Sequence, residues 1–160
     1  MVGALLAFVK HVEWWDQMAV AKDYDGGNDV MGFAAFAGHK YLNLETFKKS
    51  GDGVKTPLWF AADPASDLAG EAARLYAYTI GNSGKVKRIR NNGRVRIAPC
   101  DMRGNLLGDW VDGRAEILTG ADAEYGNLLL NKKYMPWKQL LNFFASFRRR
   151  GRTGFVIRPV

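Results

Sequence analysis

The chain has few of the residues from which metal sites and disulfides are built. Cys100 is its only cysteine, so no disulfide can form within the chain, and such usage predicts a reducing, cytoplasmic location. The two histidines, His11 and His39, have neither metal-ligand spacing nor companion cysteines. We therefore predict no metal site.

The motifs of common nucleophilic and nucleotide-binding enzymes are also missing. The sequence contains no G-x-S-x-G, no Walker A sequence, no G-x-G-x-x-G after a strand and no paired-carboxylate signature. These absences leave no side chain to which catalysis can be assigned. If the chain is an enzyme, a bound cofactor is expected to supply the reactivity.

No hydrophobic run is long enough to cross a membrane. The apolar N-terminal stretch Val2–Val12 is interrupted by charge well short of the roughly 20 residues that a spanning helix needs. We predict that Val2–Met18 forms an amphipathic or partner-packing helix, with weak membrane contact as an alternative. The polar, glycine-rich segment Lys22–Asp29 reads as a linker. The predicted organisation is therefore a helical extension over 1–29 and one domain over 30–160.

Positive charge is what the chain has in excess. Its 160 residues carry a formal charge of +7, and 48% of them are hydrophobic, which is enough for one globular domain. The segment Gly84–Arg96 contains only basic charged residues. This balance favours an anionic partner: a phosphorylated cofactor, a nucleic acid or a membrane surface.

The pattern of apolar residues predicts a mainly β (α+β) fold of about six antiparallel strands with flanking helices. Closure into a small barrel would remove the exposed edges of an open sheet. We predict strands over Lys40–Phe47, Val54–Phe60, Arg74–Ile80, Arg94–Cys100, Leu106–Leu118 and Thr153–Val160, and helices over Val30–Ala37, Lys85–Asn92, Ala121–Lys133 and Pro136–Arg149. Gly93 is predicted to end the second of these helices in the left-handed conformation.

The segment Leu75–Ala98 reads as a strand, a small-residue turn, a short basic helix and a second strand. Backbone N–H groups at the start of a helix can face an anion together with basic side chains. Thr79, Asn82 and Ser83 add hydrogen-bonding groups beside the turn. The alternative reading of this pattern is a solvated basic helix.

A second candidate motif is Lys55-Thr56-Pro57. Proline cannot donate to a strand ladder, so Pro57 predicts an edge, a bulge or an opening in the sheet. Lys55 projects beside it, and Thr56 offers a hydroxyl and a backbone N–H. Four aromatic residues could wall a cofactor or belong to the core: Trp59, Tyr76, Tyr78 and Trp110.

Several segments resemble, in the same order, the flavin and deazaflavin oxidoreductases of the pyridoxamine 5′-phosphate oxidase-like superfamily, whose fold is the FMN-binding split barrel. The branch most similar to this chain is that of small oxidoreductases dependent on coenzyme F420, a deazaflavin. The resemblance covers roughly 30–160. The segments that carry it are His39–Gly51, Gly53–Phe60, Leu75–Thr79, Ser83–Asn92 and Val95–Asp101.

The resemblance implies a split β-barrel homodimer with two cofactor sites at the interface, each holding coenzyme F420 or FMN. Lys85 falls on the lysine that holds the cofactor phosphate in relatives. Gly84 replaces an arginine that often precedes this lysine, and Lys87 and Arg88 are candidate substitutes for its charge. This departure argues against an orthodox FMN-dependent pyridoxamine phosphate oxidase.

The resemblance also assigns the remaining candidate cofactor residues. The segment Lys55–Pro57 would lie beside the phosphate-bearing chain and the ring edge. Tyr78, Thr79 and Ser83 would lie near it, and Trp110 would contribute from the fifth strand. Tyr78 is a candidate proton donor, with no residue assigned to catalysis.

The implied activity is hydride transfer between coenzyme F420 and an unsaturated organic substrate. Two alternatives share the fold: an FMN-binding flavin reductase or oxidase-like protein, and a non-catalytic flavin or deazaflavin carrier. A nucleic-acid binder using Lys85–Arg96 and Arg148–Arg152 ranks below these, because no nucleic-acid motif accompanies the charge.

Overall fold

The computed structural model describes residues 32–70, 72–134 and 151–160, and these form a closed antiparallel barrel. The strands are β1 (Tyr41–Phe47), β2 (Gly53–Ala62), β3 (Leu75–Ile80), β4 (Arg94–Cys100), β5 (Val111–Ile117) and β6 (Arg152–Pro159). Two helices, α1 (Gly84–Asn91) and α2 (Gly120–Tyr134), and a 3-10 turn, Ala34–Phe36, complete the described elements. Around the barrel the strands follow the order β1, β2, β3, β6, β5, β4. The predicted six-stranded, mainly β architecture is confirmed.

Alternation along the strands fills the barrel interior with apolar side chains. In β1, Leu42 and Leu44 are fully buried, and Thr46 follows them on the same face. Phe36 packs edge-on against the Phe60 ring, and Ile89 of α1 joins the same core. The other buried members of this core include Leu75, Ala77, Val95, Ile97, Ala115, Phe155 and Ile157.

The ladder between β2 and β3 is the shortest in the closed barrel. Their ladder joins only Phe60–Ala62 to Leu75–Ala77, whereas β2 pairs with β1 along seven positions, from Gly53 to Trp59. The first part of β2 therefore has no β3 partner. Pro57 lies in this part, where its missing N–H disrupts no β2–β3 pairing. Of the three features predicted for Pro57, an edge, a bulge or an opening in the sheet, the structure shows a stretch of β2 that is unpaired on its β3 side.

Helix α2 covers the outer face of the sheet. Its close approach is permitted by Gly126, where a Cβ atom would lie 2.8 Å from the Tyr76 ring. The Tyr134 hydroxyl donates towards the carbonyls of Lys40 and Phe60, with O···O distances of 2.6 and 2.8 Å. The cluster beneath α2 contains Ala61, Tyr76, Tyr78, Leu129, Leu130, Tyr134 and Val156. Among the described residues, no helix is both long and apolar enough to cross a bilayer.

Two details of the predicted elements are wrong. Gly93 does not have a positive φ; Asn92 caps α1 in an extended conformation, and a Cβ at Gly93 would meet the Ala115 carbonyl at 2.9 Å. The fifth strand begins at Val111, because the exposed segment before it forms a turn and an isolated bridge from Leu106 to Cys100.

The remaining elements differ from their predictions at the ends. Strand β2 extends through Ala62, and the predicted helix over 30–37 is a single 3-10 turn where it is described. The predicted N-terminal helix over 2–18, the linker over 22–29 and the helix over 136–149 lie outside the described residues.

Candidate functional site

Helix α1 begins four residues after β3 ends, and a capping residue stabilises its first turn. Ser83 is the N-cap, and its hydroxyl accepts a hydrogen bond from the Val86 N–H at 3.5 Å. The first backbone N–H groups of a helix have no intrahelical acceptor and carry partial positive charge. We call Ser83, Lys85 and Arg88, with Thr46 beneath Arg88, the α1 cation site.

Lys85 is a buried cation in this site, with 9% of its surface exposed. Burial, and to a smaller extent the charge of Arg88, lowers the pKa of its ammonium group to about 8. Lys85 and Arg88 are three residues apart on α1, so the two positive side chains leave neighbouring positions on one side of the helix. Two like charges at one helix start raise each other's energy unless an anion lies between them.

Arg88 folds back towards the start of its own helix. Its Nε donates to the Thr46 Oγ1 at 2.7 Å, and a Cβ atom at Gly84 would lie 2.9 Å from its Nη1. The guanidinium therefore occupies the space that a side chain at position 84 would need. Gly84 thus brings a second cation over the first turn of α1.

Neither cation has a carboxylate at salt-bridge distance among the described residues. The ion pairs found there join Arg94 to Asp112, Arg96 to Glu45 and Arg158 to Glu116. An ammonium, a guanidinium, a capping hydroxyl and first-turn N–H groups are the donors that phosphate prefers. The α1 cation site therefore fits a phosphate group.

A second group of predicted residues lies on the outer face of the barrel. Glu45 of β1 stands opposite Lys55 of β2 on one side and Arg96 of β4 on the other. The Lys55 Nζ and the Arg96 Cζ lie 5.1 and 5.5 Å from the centre of the Trp110 ring. We call Glu45, Lys55, Arg96 and Trp110 the outer-face cluster.

The positive charge of this cluster is partly neutralised by its own carboxylate. Glu45 is buried and its Oε2 lies 3.5 Å from the Arg96 Nη1. A Cβ atom at Gly53 would clash with the Glu45 carboxylate, so the strand passes close beneath it. The outer-face cluster combines an aromatic ring with two cations that lie over it. Aromatic and cationic groups together suit a flat, polar ring.

The other candidate residues are spread over both sides of the sheet. Thr56 shares the inward face of β1 and β2 with Leu44, whereas Pro57 is exposed on the outer face beside Asn43. Thr79 pairs with Thr153 of β6, and Lys87 is exposed on α1. Cofactor binding by Thr56, Pro57, Thr79 and Lys87 therefore stays a prediction.

Tyr78 lies in the cluster beneath α2. Burial raises the pKa of its phenol to about 12, against a smaller opposing effect of Arg152, whose guanidinium carbon lies 5.3 Å from the ring centre. A phenol with a raised pKa gives up its proton reluctantly near neutral pH. This placement makes Tyr78 a weak proton donor.

Two contributing residues are missing from the sequence-based site. Thr46 supports Arg88 from 42 residues away, and Glu45 pairs with Arg96 across 51 residues. The strand alternation places Thr46 on an inward face, but no local pattern links it to α1. No group of three metal-binding side chains occurs in the part of the chain that the structure describes.

Comparison with known proteins identifies the fold. No family model and no curated protein matches the chain. Solved structures do match: a FAD-binding protein of Mesorhizobium loti is 21% identical, with a TM-score of 0.52 over 82% of this chain and 88% of that one.

Two further structures show the range of proteins with this architecture. A protein of Listeria innocua named as a candidate pyridoxamine 5′-phosphate oxidase is 14% identical, with a TM-score of 0.52 over 79% of this chain and 88% of its own. A heme storage protein of Vibrio cholerae is 12% identical, with a TM-score of 0.54 over 77% and 83%. The chain therefore has the split-barrel fold of pyridoxamine 5′-phosphate oxidase-like proteins.

Proposed function

We propose that the protein is an oxidoreductase that binds coenzyme F420 or FMN and transfers a hydride between this cofactor and an unsaturated organic substrate. One observation carries the proposal: the ammonium of Lys85 and the guanidinium of Arg88 share the start of α1 without a carboxylate at salt-bridge distance among the described residues. A phosphate group would relieve their mutual repulsion. The split-barrel neighbours named for FAD binding and pyridoxamine phosphate oxidation support a flavin-type cofactor.

The outer-face cluster is the proposed support for the cofactor ring. Trp110 offers an aromatic ring in contact with two cations, and Pro57 is exposed on the same side of β2 as Lys55. Thr46 and Glu45 are adjacent in β1 and therefore point to opposite faces of the sheet, close to the end of the strand at Phe47. A single ligand that contacts both groups would have to extend around this end of β1.

The choice of coenzyme F420 over FMN is supported by charge. Besides Lys85 and Arg88, helix α1 exposes Lys87 and Arg90, which have no role in the core. The acidic tail of coenzyme F420 adds negative charges that FMN lacks, and exposed cations attract such a tail over a Debye length. FMN remains the alternative cofactor within the same proposal.

The bound cofactor would supply the hydride chemistry, and the chain's own residues would place it. Lys85 and Arg88 would fix the phosphate, and the outer-face cluster would orient the ring against the substrate. Placement of two reactants in this way accounts for a large share of many enzymatic rate enhancements. No described residue is assigned as a proton donor.

We propose that the protein is a homodimer with its cofactor sites at the interface. The connection from β4 to β5 supports this, since it exposes Met102, Leu106 and Leu107 next to Trp110. Burying these side chains against a second copy would remove apolar surface from water. Light scattering should give a mass of two chains, and the Leu107→Glu variant should give one.

A non-catalytic carrier of the same cofactor is the second candidate. The weak acidity of the buried Tyr78 phenol favours it, because the described part of the site then lacks a ready proton donor. A carrier binds the cofactor but does not accelerate its oxidation. Anaerobic mixing of the reduced cofactor with quinone and enone substrates distinguishes the two candidates.

The binding claim is tested by fluorescence titration with coenzyme F420 and with FMN at moderate salt. We expect at least one of them to bind with a dissociation constant below about 100 μM, close to −5.5 kcal/mol. If neither cofactor binds in this range, the proposed function is wrong.

A further inference from the structure

We propose that Thr46 and Gly84 are positioning residues that aim the Arg88 guanidinium at the anion held by Lys85. The inference rests on the proposed function, because it explains how the α1 cation site brings its second cation into place. The Thr46 hydroxyl supplies a fixed point, and Gly84 supplies the space.

Thr46 is suited to hold another side chain in place. It is 1% exposed, and it lies in a strand paired on both sides, opposite Val54 and Val95. Its Oγ1 accepts from the Arg88 Nε at 2.7 Å. The guanidinium fork has four further N–H donors, all on its terminal nitrogens. Holding Arg88 by Nε leaves these donors for a ligand.

Gly84 leaves room for the end of the fork. A Cβ atom at this position would be 2.9 Å from the Arg88 Nη1, closer than such atoms normally approach. Gly84 is exposed and its φ is not positive, so neither packing nor backbone conformation requires a glycine there. The effect of a larger residue would therefore fall on the guanidinium.

A guanidinium fixed in this way binds more tightly than a mobile one. An arginine side chain loses rotamer freedom when it engages a ligand, and prior fixing reduces this loss. Thr46 and Gly84 should therefore affect the affinity for the phosphate group and not the affinity for the ring.

The test compares the cofactor that the wild type binds with its phosphate-free analogue, riboflavin for FMN or the corresponding deazaflavin. Thr46→Val removes the hydroxyl and preserves the shape, and we expect it to weaken binding of the phosphorylated cofactor about three- to tenfold. Binding of the phosphate-free analogue should not change. Thr46→Ser keeps the hydroxyl and should restore wild-type affinity. Gly84→Ala should behave as Thr46→Val does.

The same measurements in an Arg88→Met background show whether Thr46 acts through Arg88. We expect Thr46→Val to have no additional effect there. An equal loss with and without Arg88, or no loss in the Thr46→Val variant, would overturn the inference. If Lys85→Met weakens phosphate-dependent binding while Thr46→Val does not, this inference alone fails. If the wild type binds the phosphorylated cofactor no more tightly than the phosphate-free analogue, the proposed phosphate site and this inference are both wrong.

Discussion

The α1 cation site and the outer-face cluster both concentrate positive charge, but they treat it in opposite ways. In the outer-face cluster, Arg96 lies 3.5 Å from the Glu45 carboxylate and both cations face the Trp110 ring. In the α1 cation site, burial and a neighbouring cation lower the pKa of Lys85 to about 8. One group of residues is neutralised internally, and the other has no carboxylate at salt-bridge distance among the described residues.

Basic composition alone therefore does not locate an anion site. Most of the basic residues between Gly84 and Arg96 are exposed or partnered, and water screens an exposed charge at little cost. Lys85 is instead buried, with a second cation at a neighbouring position of its helix, and this is where we propose that an anion binds.

The largest expected effect separates the two regions directly. Lys85→Met removes the buried ammonium, so we expect the affinity for the phosphorylated cofactor to fall by about 10- to 100-fold. Lys132→Met, an exposed change on α2, is the control and should stay within about twofold, as a screened surface charge does. Fluorescence titration measures both. Equal losses in the two variants would remove the distinction between the site and the general positive charge of the chain.

The pH dependence of binding tests the same cation without removing it. The unliganded ammonium has a pKa of about 8, and a bound phosphate favours its charged form. Affinity should therefore be highest below pH 8 and fall above it, by at most about tenfold per pH unit.

The control for this pH profile is Lys85→Arg, which keeps a charge that does not titrate in this range. Its affinity should stay nearly constant between pH 7 and about 9.5, where the wild type weakens. Burial also lowers the pKa of Lys133 to about 8, and that group is unchanged in the variant. A variant with the same decline as the wild type would assign the titration to another group.

A smaller effect is expected from removing the proposed support of the cofactor ring. Trp110→Ala should weaken the binding of the phosphorylated cofactor and of its phosphate-free analogue by the same factor, about three- to tenfold, because it removes stacking and no charge. Leu128→Ala, an exposed change on α2, serves as the control. An effect of Trp110→Ala confined to the phosphorylated form would place the phosphate in the outer-face cluster.

The smallest expected effect has the opposite sign. Glu45→Gln removes the counter-ion of Arg96 and the carboxylate opposite Lys55, so inorganic phosphate should bind the variant about two- to fivefold more tightly than the wild type. Competition against the cofactor measures this change. A weaker affinity for phosphate would show that Glu45 supports the cations and does not merely neutralise them.

The sequence predicts the barrel well because its strands alternate plainly. Arg94–Cys100 has the predicted bounds, and Pro57 lies where β2 loses its β3 partner. The start of β5 was missed because Leu106 and Leu107 read as strand residues, although both are exposed in the structure. The conformation of Gly93 was missed because the chain continues directly into β4, beside the Ala115 carbonyl.

The candidate site was predictable only in part. A basic turn-helix pattern and the family resemblance both point to Lys85. Thr46, by contrast, reaches Arg88 only after the barrel closes and brings β1 beneath α1. The burial of Lys85 is not predictable from the sequence either, because the lowered pKa of its ammonium follows from packing that no local pattern shows.

The crystal structure of the protein with its phosphorylated cofactor tests the central claim most directly. We expect phosphate oxygens within about 3 Å of the Lys85 Nζ and of a terminal nitrogen of Arg88, at hydrogen-bond distance. A phosphate lying against Lys55 and Arg96, with Lys85 and Arg88 making no contact to it, would show that the proposed phosphate site is wrong.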